Sequence, residues 1–437
     1  MIINTVTDYL WGWPMPVFLS IAGLIITFAF RFVQIRYFFT SWRYVLSPKG
    51  SAQGEEISPI QAFLSTLSST LGNGSLVGMA VAMYAGGPGG AIWLMIFGLF
   101  AMPIRFAEVL ASSIFTTKTE HGMRGGPMVY LAKVPGGSAL TYLYAFTCLL
   151  FTFVGSGLMQ CNSMTGGLTA LTGVDARIIA VIMLIFVVYI LLGGSKRIVR
   201  FSEVIAPLKV LLFILATGSV IVMFLPNLFS ALKLMVDGAF SSQALVGGLA
   251  GHMMQNAIRF TVPNFFNATE AGLGTASVLF GATGGKNPKE SSIMSMALVF
   301  TTQVICFFMF LAFTMSGTWN SGLQQTPLVM ATYATVFGSL GEIIANILSI
   351  LFGVGVLVGY AFVGRECWLF LTRGRWEWIF MVIYSLMAPL GALSDVSFVW
   401  SMVRTMNAAL LILNVYGLLY LLPVMRKWWK NAEKKPA

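Results

Sequence analysis

Long apolar stretches separated by short polar links dominate the pattern of this chain. Stretches of roughly 18 or more apolar residues, enough to cross a hydrocarbon layer of about 30 Å, recur along the whole length. The pattern predicts an all-α polytopic membrane protein with about eleven spans. These are expected near residues 14–38, 58–85, 88–115, 139–171, 176–194, 201–225, 243–282, 291–317, 341–366, 377–394 and 397–424.

Basic residues are concentrated in alternate links between the predicted spans. Lysine and arginine cluster after every odd-numbered span, whereas the other links hold only Arg177 and Lys233. Because cytoplasmic loops of membrane proteins are enriched in lysine and arginine, the N-terminus is expected outside and the C-terminus inside the cell. Residues 425–437 would then form a cytoplasmic tail, and the number of spans would be odd.

Composition excludes a soluble domain. The 437 residues are 57% hydrophobic and 9% charged, whereas soluble domains are about a quarter charged. The net charge of +11 comes from the links and does not indicate nucleic-acid binding. Residues 1–437 are therefore expected to form a single domain in a lipid bilayer. The cysteines lie in or beside spans without metal-ligand spacing, so buried apolar thiols are expected instead of a metal site; they are Cys148, Cys161, Cys306 and Cys367.

Two of the predicted spans contain helix-breaking sequences. The second has a glycine-rich segment at residues 71–75, and the seventh has Pro263-Asn264 at its middle, followed by residues 269–274. If the first span is an extra helix, these two begin five-span halves, 58–225 and 243–424, of opposite orientation. Matched interrupted helices in inverted halves indicate a transporter's binding site. Close helix packing at the glycines is the alternative.

An interrupted helix in mid-membrane offers its free backbone groups to ligands. The N–H groups at the start of the second half-helix can bind a carboxylate, and the free carbonyls of the first can bind a cation. Asn73 and Gly74 are placed to supply such amides, Leu71 a carbonyl, and Ser75 a hydroxyl. The chain has no Ser/His/Asp set, metal motif or suitable carboxylate pair, so an enzyme is not expected. A membrane-embedded enzyme and a non-transporting receptor remain the alternatives.

Several polar side chains occur within the apolar spans. Lys209 lies about 12 Å into its span, at roughly 1.5 Å per residue, and either snorkels to the cytoplasm or has a functional role. Gln160 and Asn162 form a polar pair that either joins helices or lines a pocket. Three acidic residues near predicted cytoplasmic ends are expected to snorkel or to pair structurally; they are Glu108, Glu203 and Glu270.

The chain resembles the alanine or glycine:cation symporters, the sodium:alanine symporter family, over nearly its full length. The matching segments are 8–12 (DYLWG), 58–62 (SPIQA), 72–75 (GNGS), 86–89 (GGPG), 106–108 (FAE), 125–128 (GGPM), 160–163 with Gln160, Asn162 and Ser163, 258–260 (IRF), 270–272 (EAG) and 406–407 (MN).

The resemblance implies a leucine-transporter-like fold, a 5+5 inverted repeat with one extra N-terminal helix. It also implies a secondary transporter of small neutral amino acids such as alanine or glycine, working by alternating access in the inner membrane of a bacterial-type cell. Sodium is the usual coupling ion of the family, and no other cofactor is expected. The substrate-binding residues are then expected to be Asn73, Gly74, Ser75, Gln160, Thr261 and Asn264.

Departures from the family pattern bear on the coupling ion. Where the family has adjacent serine and threonine residues that can bind sodium, this chain has Gly355 and Val356, which offer no side-chain oxygen. Lys209 stands where the family has a residue resembling methionine, and in proton-coupled relatives of the fold a lysine can supply an ammonium to the same place. The ion-coupling residues are therefore expected to be Leu71, Ser75, Lys209 and Gly355. Sodium-independent or proton-coupled transport is the alternative to sodium coupling.

Overall fold

The computed structural model describes residues 2–46, 58–120, 122–240, 249–285 and 287–433. Three predicted features lie outside these ranges: the link with Lys49, the start of the second half at 243–248, and the end of the tail at 434–437. The helices of the first part are α1 (Ile2–Gly12), α2 (Pro14–Ala29), α3 (Val33–Arg36), α4 (Phe38–Leu46), α5 (Pro59–Thr70), α6 (Asn73–Gly86), α7 (Gly90–Ile114), α8 (Pro127–Tyr130), α9 (Gly137–Phe151) and α10 (Met159–Thr172). Those of the second part are α11 (Ala176–Leu191), α12 (Gly194–Met223), α13 (Leu228–Phe240), α14 (Leu249–Thr269), α15 (Thr275–Gly281), α16 (Pro288–Met315), α17 (Gln325–Phe337), α18 (Ser339–Leu371), α19 (Glu377–Leu393) and α20 (Val396–Glu433).

Helix occurs at all eleven predicted positions, which confirms the predicted all-α class. In the described residues, six helical stretches are long and apolar enough to cross a membrane, and α2, α11 and α19 are shorter apolar helices. The second predicted span comprises α5 and α6, and the seventh comprises α14 and α15. The number of helices that cross the membrane stays a prediction.

The fourth predicted span is one continuous rod with a change of helical pitch. Between α9 and α10, residues Thr152–Leu158 form a π-helical segment. Such segments are rare and are frequently found at functional sites, because the wider turn leaves carbonyl groups free for other donors. The segment ends two residues before Gln160.

Of the two helix-breaking segments predicted in the seventh span, the second interrupts the helix and the proline does not. Pro263 lies inside α14, which continues to Thr269. The break falls at residues 270–274, where Glu270, Gly272 and Gly274 have φ angles of 53°, 84° and 83°. Residues in the left-handed αL conformation end a helix. A proline in a membrane helix is tolerated when neighbouring groups satisfy the freed carbonyl. The glycines therefore set this break.

Some elements lie in the links between the predicted spans. Helices α13 and α17 occupy links on the side expected to be outside. A two-stranded antiparallel ribbon, β1 (Thr117–Thr119) and β2 (Gly122–Arg124), follows α7. Their apolar stretches are shorter than the roughly 18 residues used to recognise a span, so hydropathy alone did not predict them.

Half-helix α6 packs closely along α14. A Cβ added at Gly74 would lie 2.9 Å from Asn267 Nδ2, and one at Gly86 would lie 3.2 Å from Ala257 Cα. Glycine therefore allows the two backbones to approach. This contact brings the two interrupted helices together at the centre of the bundle.

Candidate functional site

The first break separates α5 from α6 at residues 71–72. Leu71 has φ −76° and ψ 82°, and Gly72 has φ −113° and ψ −169°. Neither conformation is helical, so the carbonyls at the end of α5 and the amides at the start of α6 need partners from elsewhere. Both ends find them in neighbouring helices.

The amide end is occupied by Gln160 from α10. Asn73 N–H donates to Gln160 Oε1 at 2.9 Å, and Gln160 Nε2 donates to the π-helical carbonyl of Gly155 at 3.3 Å. The Asn73 side chain is held separately, because it exchanges two hydrogen bonds with Ser349 of α18. A neutral amide oxygen therefore sits on the backbone N–H predicted to receive a carboxylate.

The carbonyl end is occupied by Lys209 from α12. Its ammonium donates to Ser68 O at 2.6 Å and to Leu71 O at 2.5 Å, and lies 5.4 Å from the centre of the Phe352 ring. Lys209 is fully buried. Two carbonyl oxygens and an aromatic face thus surround a single positive charge, an arrangement that stabilises a cation.

Gly355 of α18 faces the same place. A Cβ built on Gly355 would lie 2.6 Å from Lys209 Nζ and 2.8 Å from Ser68 O. The neighbouring Val356 faces the break, since its Cγ2 would be 2.4 Å from a Cβ on Gly72. The lysine ammonium therefore fills the space that a side chain at position 355 would enter.

A narrow cavity with room for about one water molecule adjoins the first break. Of the predicted substrate residues, Gly74 and Gln160 line it. The full lining is Ser69, Thr70, Gly72, Gly74, Phe151, Gly155, Met159, Gln160, Asn267, Glu270, Val356 and Tyr360. Polar residues from both breaks thus line the same narrow cavity.

The other predicted substrate residues lie beside this cavity or further along the helices. Ser75 lies next to Cys306 of α16. Asn264 donates to Phe260 O at 2.7 Å, and its Oδ1 faces Gly78 of α6. Thr261 lies against Gly90 at the start of α7. These three residues lie where α14 and α6 contact each other and neighbouring helices, and they do not line the cavity.

The second break is held by an ion pair on α7. Arg105 NH1 lies 2.7 Å from Glu108 Oε1, and both side chains are fully buried. Arg105 NH2 donates to Thr269 O, the last residue of α14, at 2.5 Å. Glu108 Oε2 accepts from the backbone N–H groups of Gly272 and Gly274 at 3.1 and 3.2 Å. A cation thus caps the carbonyl end and a carboxylate the amide end, the pairing that helix dipoles favour.

Further side chains complete this second arrangement. Asn414 of α20 donates to Glu108 Oε2 at 3.2 Å and to Gly272 O at 2.8 Å, and Tyr144 donates to Leu273 O at 2.8 Å. Two of the three acidic residues expected near cytoplasmic ends lie at the second break, in different surroundings. Glu108 is structurally paired, whereas Glu270 is buried at the break and receives a hydrogen bond from Thr275 Oγ1 at 2.7 Å.

Sequence reasoning missed several residues around the cavity. Asn267 Oδ1 accepts a hydrogen bond from Asn407 Nδ2 of α20 at 3.0 Å, and the Asn267 side chain packs against Gly74. Arg105 was not selected either, although an Arg and a Glu at i,i+3 within an apolar span is a recognisable signal. Polar residues within apolar spans were the available signal for the others; they are Ser69, Thr70 and Tyr360.

Comparison with known proteins agrees with this architecture. The profile of the sodium:alanine symporter family matches residues 1–436. An uncharacterized transporter of Haemophilus influenzae is 28% identical over 97% of this chain and 94% of its own length. The sodium/alanine symporter AgcS of Methanococcus maripaludis is 28% identical over 96% of this chain and 94% of its own length.

A solved structure supports the fold. A manganese transporter of Eremococcus coleocola superposes with a TM-score of 0.53, at 13% identity, over 86% of this chain and 82% of that chain. The leucine-transporter-like fold predicted from the sequence is thereby confirmed. With the family profile spanning the whole chain, the protein belongs to the sodium:alanine symporter family, whose members are multi-pass membrane transporters and not enzymes.

Proposed function

We propose that the protein is a secondary transporter that carries small neutral amino acids such as alanine or glycine by alternating access. The observation that carries this proposal is the first break, where residues of both half-helices line a narrow cavity together with Gln160 of α10 and Glu270 of the second break. An amino acid needs this combination, because its carboxylate binds N–H groups and its ammonium binds oxygen atoms.

The substrate carboxylate takes the place of Gln160 Oε1 on the amides of Asn73 and Gly74. The 2.9 Å hydrogen bond from Asn73 N–H to Gln160 satisfies the amide while the site is closed. A charged acceptor binds a helix N-terminus more strongly than a neutral amide oxygen does. The substrate therefore displaces Gln160, whose Nε2 can then donate to the bound carboxylate. The small cavity favours substrates with short side chains.

Lys209 serves as the coupling cation in place of sodium. Its ammonium lies on the Ser68 and Leu71 carbonyls, and the glycine at position 355 leaves room for it. Sodium would compete for the same oxygens and would find no hydroxyl at residues 355 and 356. A lysine in a membrane interior can load and release a proton during the cycle. Proton coupling through Lys209 is thus favoured over sodium coupling.

The proposed orientation has the N-terminus outside and the C-terminus in the cytoplasm, in the inner membrane of a bacterial-type cell. Residues 58–225 and 243–424 form the two inverted halves, with 14–38 as the extra helix. The distribution of basic links supports this orientation. A cysteine placed at Lys233, which is exposed on α13, should react with an impermeant thiol reagent from outside, and one at Ala432 should not; the reverse pattern would exclude it.

Uptake into proteoliposomes tests the transport proposal and the coupling ion together. Labelled alanine and glycine are supplied with a sodium gradient and a pH gradient imposed separately. We expect saturable uptake that a pH gradient drives and that replacing sodium with choline leaves unchanged. Strict sodium dependence would overturn the role of Lys209 while leaving the symporter proposal intact. Absence of saturable uptake and of binding would overturn both.

A further inference from the structure

Four ionisable side chains are buried around the two breaks. Among the residues that the structure describes, the buried charged side chains are Arg105, Glu108, Lys209, Glu270 and, near the β ribbon, Glu366. Glu366 pairs with Arg124 and is remote from the breaks. The remaining four are two basic and two acidic side chains, so while Lys209 is protonated and both carboxylates are ionised their charges sum to zero.

Three of these four side chains bind an oppositely charged side chain or backbone groups at the breaks. Arg105 and Glu108 form an ion pair and cap the second break. Lys209 is held by two carbonyls of the first break. Glu270 differs, because the side chains that contact its carboxylate in the described ranges are hydroxyl groups. Thr275 Oγ1 donates to Oε2 at 2.7 Å, and the Tyr360 side chain lies beside it. No ion pair to Glu270 forms within the described ranges, although Lys209 and Arg105 lie within electrostatic reach.

Glu270 also lines the cavity of the first break. It shares that lining with Gly74 and Gln160, two of the residues at the proposed carboxylate position. A carboxylate in this place, lacking a direct cation, suits the positively charged group of a ligand that also reaches the amides at the start of α6. An amino acid is such a ligand, because its α-ammonium and its carboxylate are bonded to the same carbon atom.

Resting on the proposed function, we infer that Glu270 binds the substrate α-ammonium and thereby restricts the site to zwitterions with a free amino group. The charge balance gives the second reason. In a low-dielectric interior an uncompensated charge is costly. A zwitterion adds no net charge to a neutral site, whereas a carboxylic acid anion adds one negative charge and an amino acid amide adds one positive charge.

The experiment compares three ligands that differ only at the two charged ends. Binding of alanine, propionate and alaninamide to the purified full-length protein is measured by competition against labelled alanine. For the unmutated protein we expect propionate and alaninamide each to bind at least about tenfold more weakly than alanine.

The Glu270→Gln variant then separates recognition from a structural role. It removes the ammonium partner and leaves the site with one positive charge, so alanine should bind about ten- to hundredfold more weakly while propionate binds as well as before or better. A merely structural role would weaken both ligands together. Thr275→Val is the matched control: it removes the hydroxyl on Glu270 Oε2 but keeps the carboxylate, so the preference for alanine over propionate should persist.

The outcomes distinguish this inference from the proposed function. If the unmutated protein binds alanine but Glu270→Gln keeps the alanine-to-propionate ratio within about threefold, the inference is wrong and the proposed function stands. If the unmutated protein binds no amino acid, both are wrong. Should Glu270→Gln fail to fold, Glu270→Asp retains the charge at a shorter reach. It should weaken alanine without strengthening propionate, and an unchanged ratio there would also overturn the inference.

Discussion

Both interrupted helices leave backbone groups without intrahelical partners at the break, and different side chains bind those groups in the two helices. At each break a basic side chain donates to the carbonyl end, Lys209 at the first and Arg105 at the second. The amide ends differ, because Gln160 accepts at the first and the Glu108 carboxylate accepts at the second. The first break thus has a neutral acceptor and the second a charged one.

This difference indicates which break can exchange its partner for a ligand. The Glu108 carboxylate binds two backbone amides, an arginine and Asn414, so an incoming anion would have to displace a fully buried, multiply bonded charge. Gln160 contributes one hydrogen bond to the first break, and the net value of such a bond is about 1 kcal/mol. We therefore regard the amide end of the second break as structural and the amide end of the first break as the place where a substrate carboxylate can bind.

The largest effect is expected from breaking the pair at the second break. Glu108→Gln leaves Arg105 without its carboxylate in a fully buried position, and removing one partner of such a pair costs about 3–5 kcal/mol. We expect a markedly lower unfolding temperature in detergent and little folded protein. Glu366→Gln is the control, since its partner Arg124 lies in a partly exposed pair, and its effect should be much smaller. Equal stability of Glu108→Gln and the unmutated protein would contradict the structural role of the second break's amide end.

The next prediction exchanges the cation at the first break. Lys209→Met should reduce uptake by on the order of a hundredfold, because two buried carbonyls lose a charged donor worth about 1–3 kcal/mol. Gly355→Ser alone should also impair uptake, since its Cβ would lie 2.6 Å from Lys209 Nζ. Together, Lys209→Met and Gly355→Ser should restore part of the uptake in a sodium-dependent form, because a hydroxyl then joins the two carbonyls as an oxygen ligand.

The double variant is informative in both directions. Sodium-dependent recovery would support the view that the ammonium stands in for a metal ion. If the double variant is no more active than Lys209→Met at any sodium concentration, the two positions do not compensate for each other, and the substitution of lysine for sodium would be contradicted.

The sequence predicted the first break better than the second for a physical reason. The first is encoded locally, since residues 71–75 combine two glycines with polar residues in an apolar span, and the break falls within them. At the second, Pro263 was the stronger local signal, yet the helix continues past it to Thr269. The partners that stabilise the true break, Arg105 and Glu108, precede it by more than 160 residues, and local patterns carry no information about such contacts.

A similar limit applies to the lining of the cavity. Hydropathy located every helix that surrounds the site, and the depth of Lys209 in its span suggested its importance. Which face each helix presents depends on packing between helices. Asn267, one turn beyond Asn264 on α14, therefore lies in the cavity, whereas Asn264 faces Gly78. A single sequence does not distinguish two asparagines so close together.

A further prediction tests whether the first break needs its glycine. Gly74→Val places a β-branched side chain where even a Cβ would lie 2.9 Å from Asn267 Nδ2, so the cavity should be blocked. We expect alanine binding to be lost while the protein still inserts and folds. Gly218→Val is the matched control, because Gly218 is also helical but has no atom within 4 Å of an added Cβ. Equal transport by both variants would place the substrate elsewhere.

The smallest expected effect concerns Gln160, the exchangeable partner of the first break. Gln160→Glu places a carboxylate on Asn73 N–H, so the amide end of the first break comes to resemble that of the second. The new charge should compete with the substrate carboxylate and repel it, raising the KM for alanine about tenfold, which corresponds to about 1.4 kcal/mol. Glutamate lacks the Nε2 donor that Gln160 offers to Gly155 O, so the unfolding temperature should also fall, and KM is therefore compared on folded protein. Asn162→Ala is the control on the same helix: Asn162 Nδ2 donates to Gly391 O and Ser394 O at the end of α19, so its loss should lower stability and leave KM unchanged. If Gln160→Glu leaves KM unchanged, the amide end of the first break does not hold the substrate, and the contrast between the two breaks would concern structure alone.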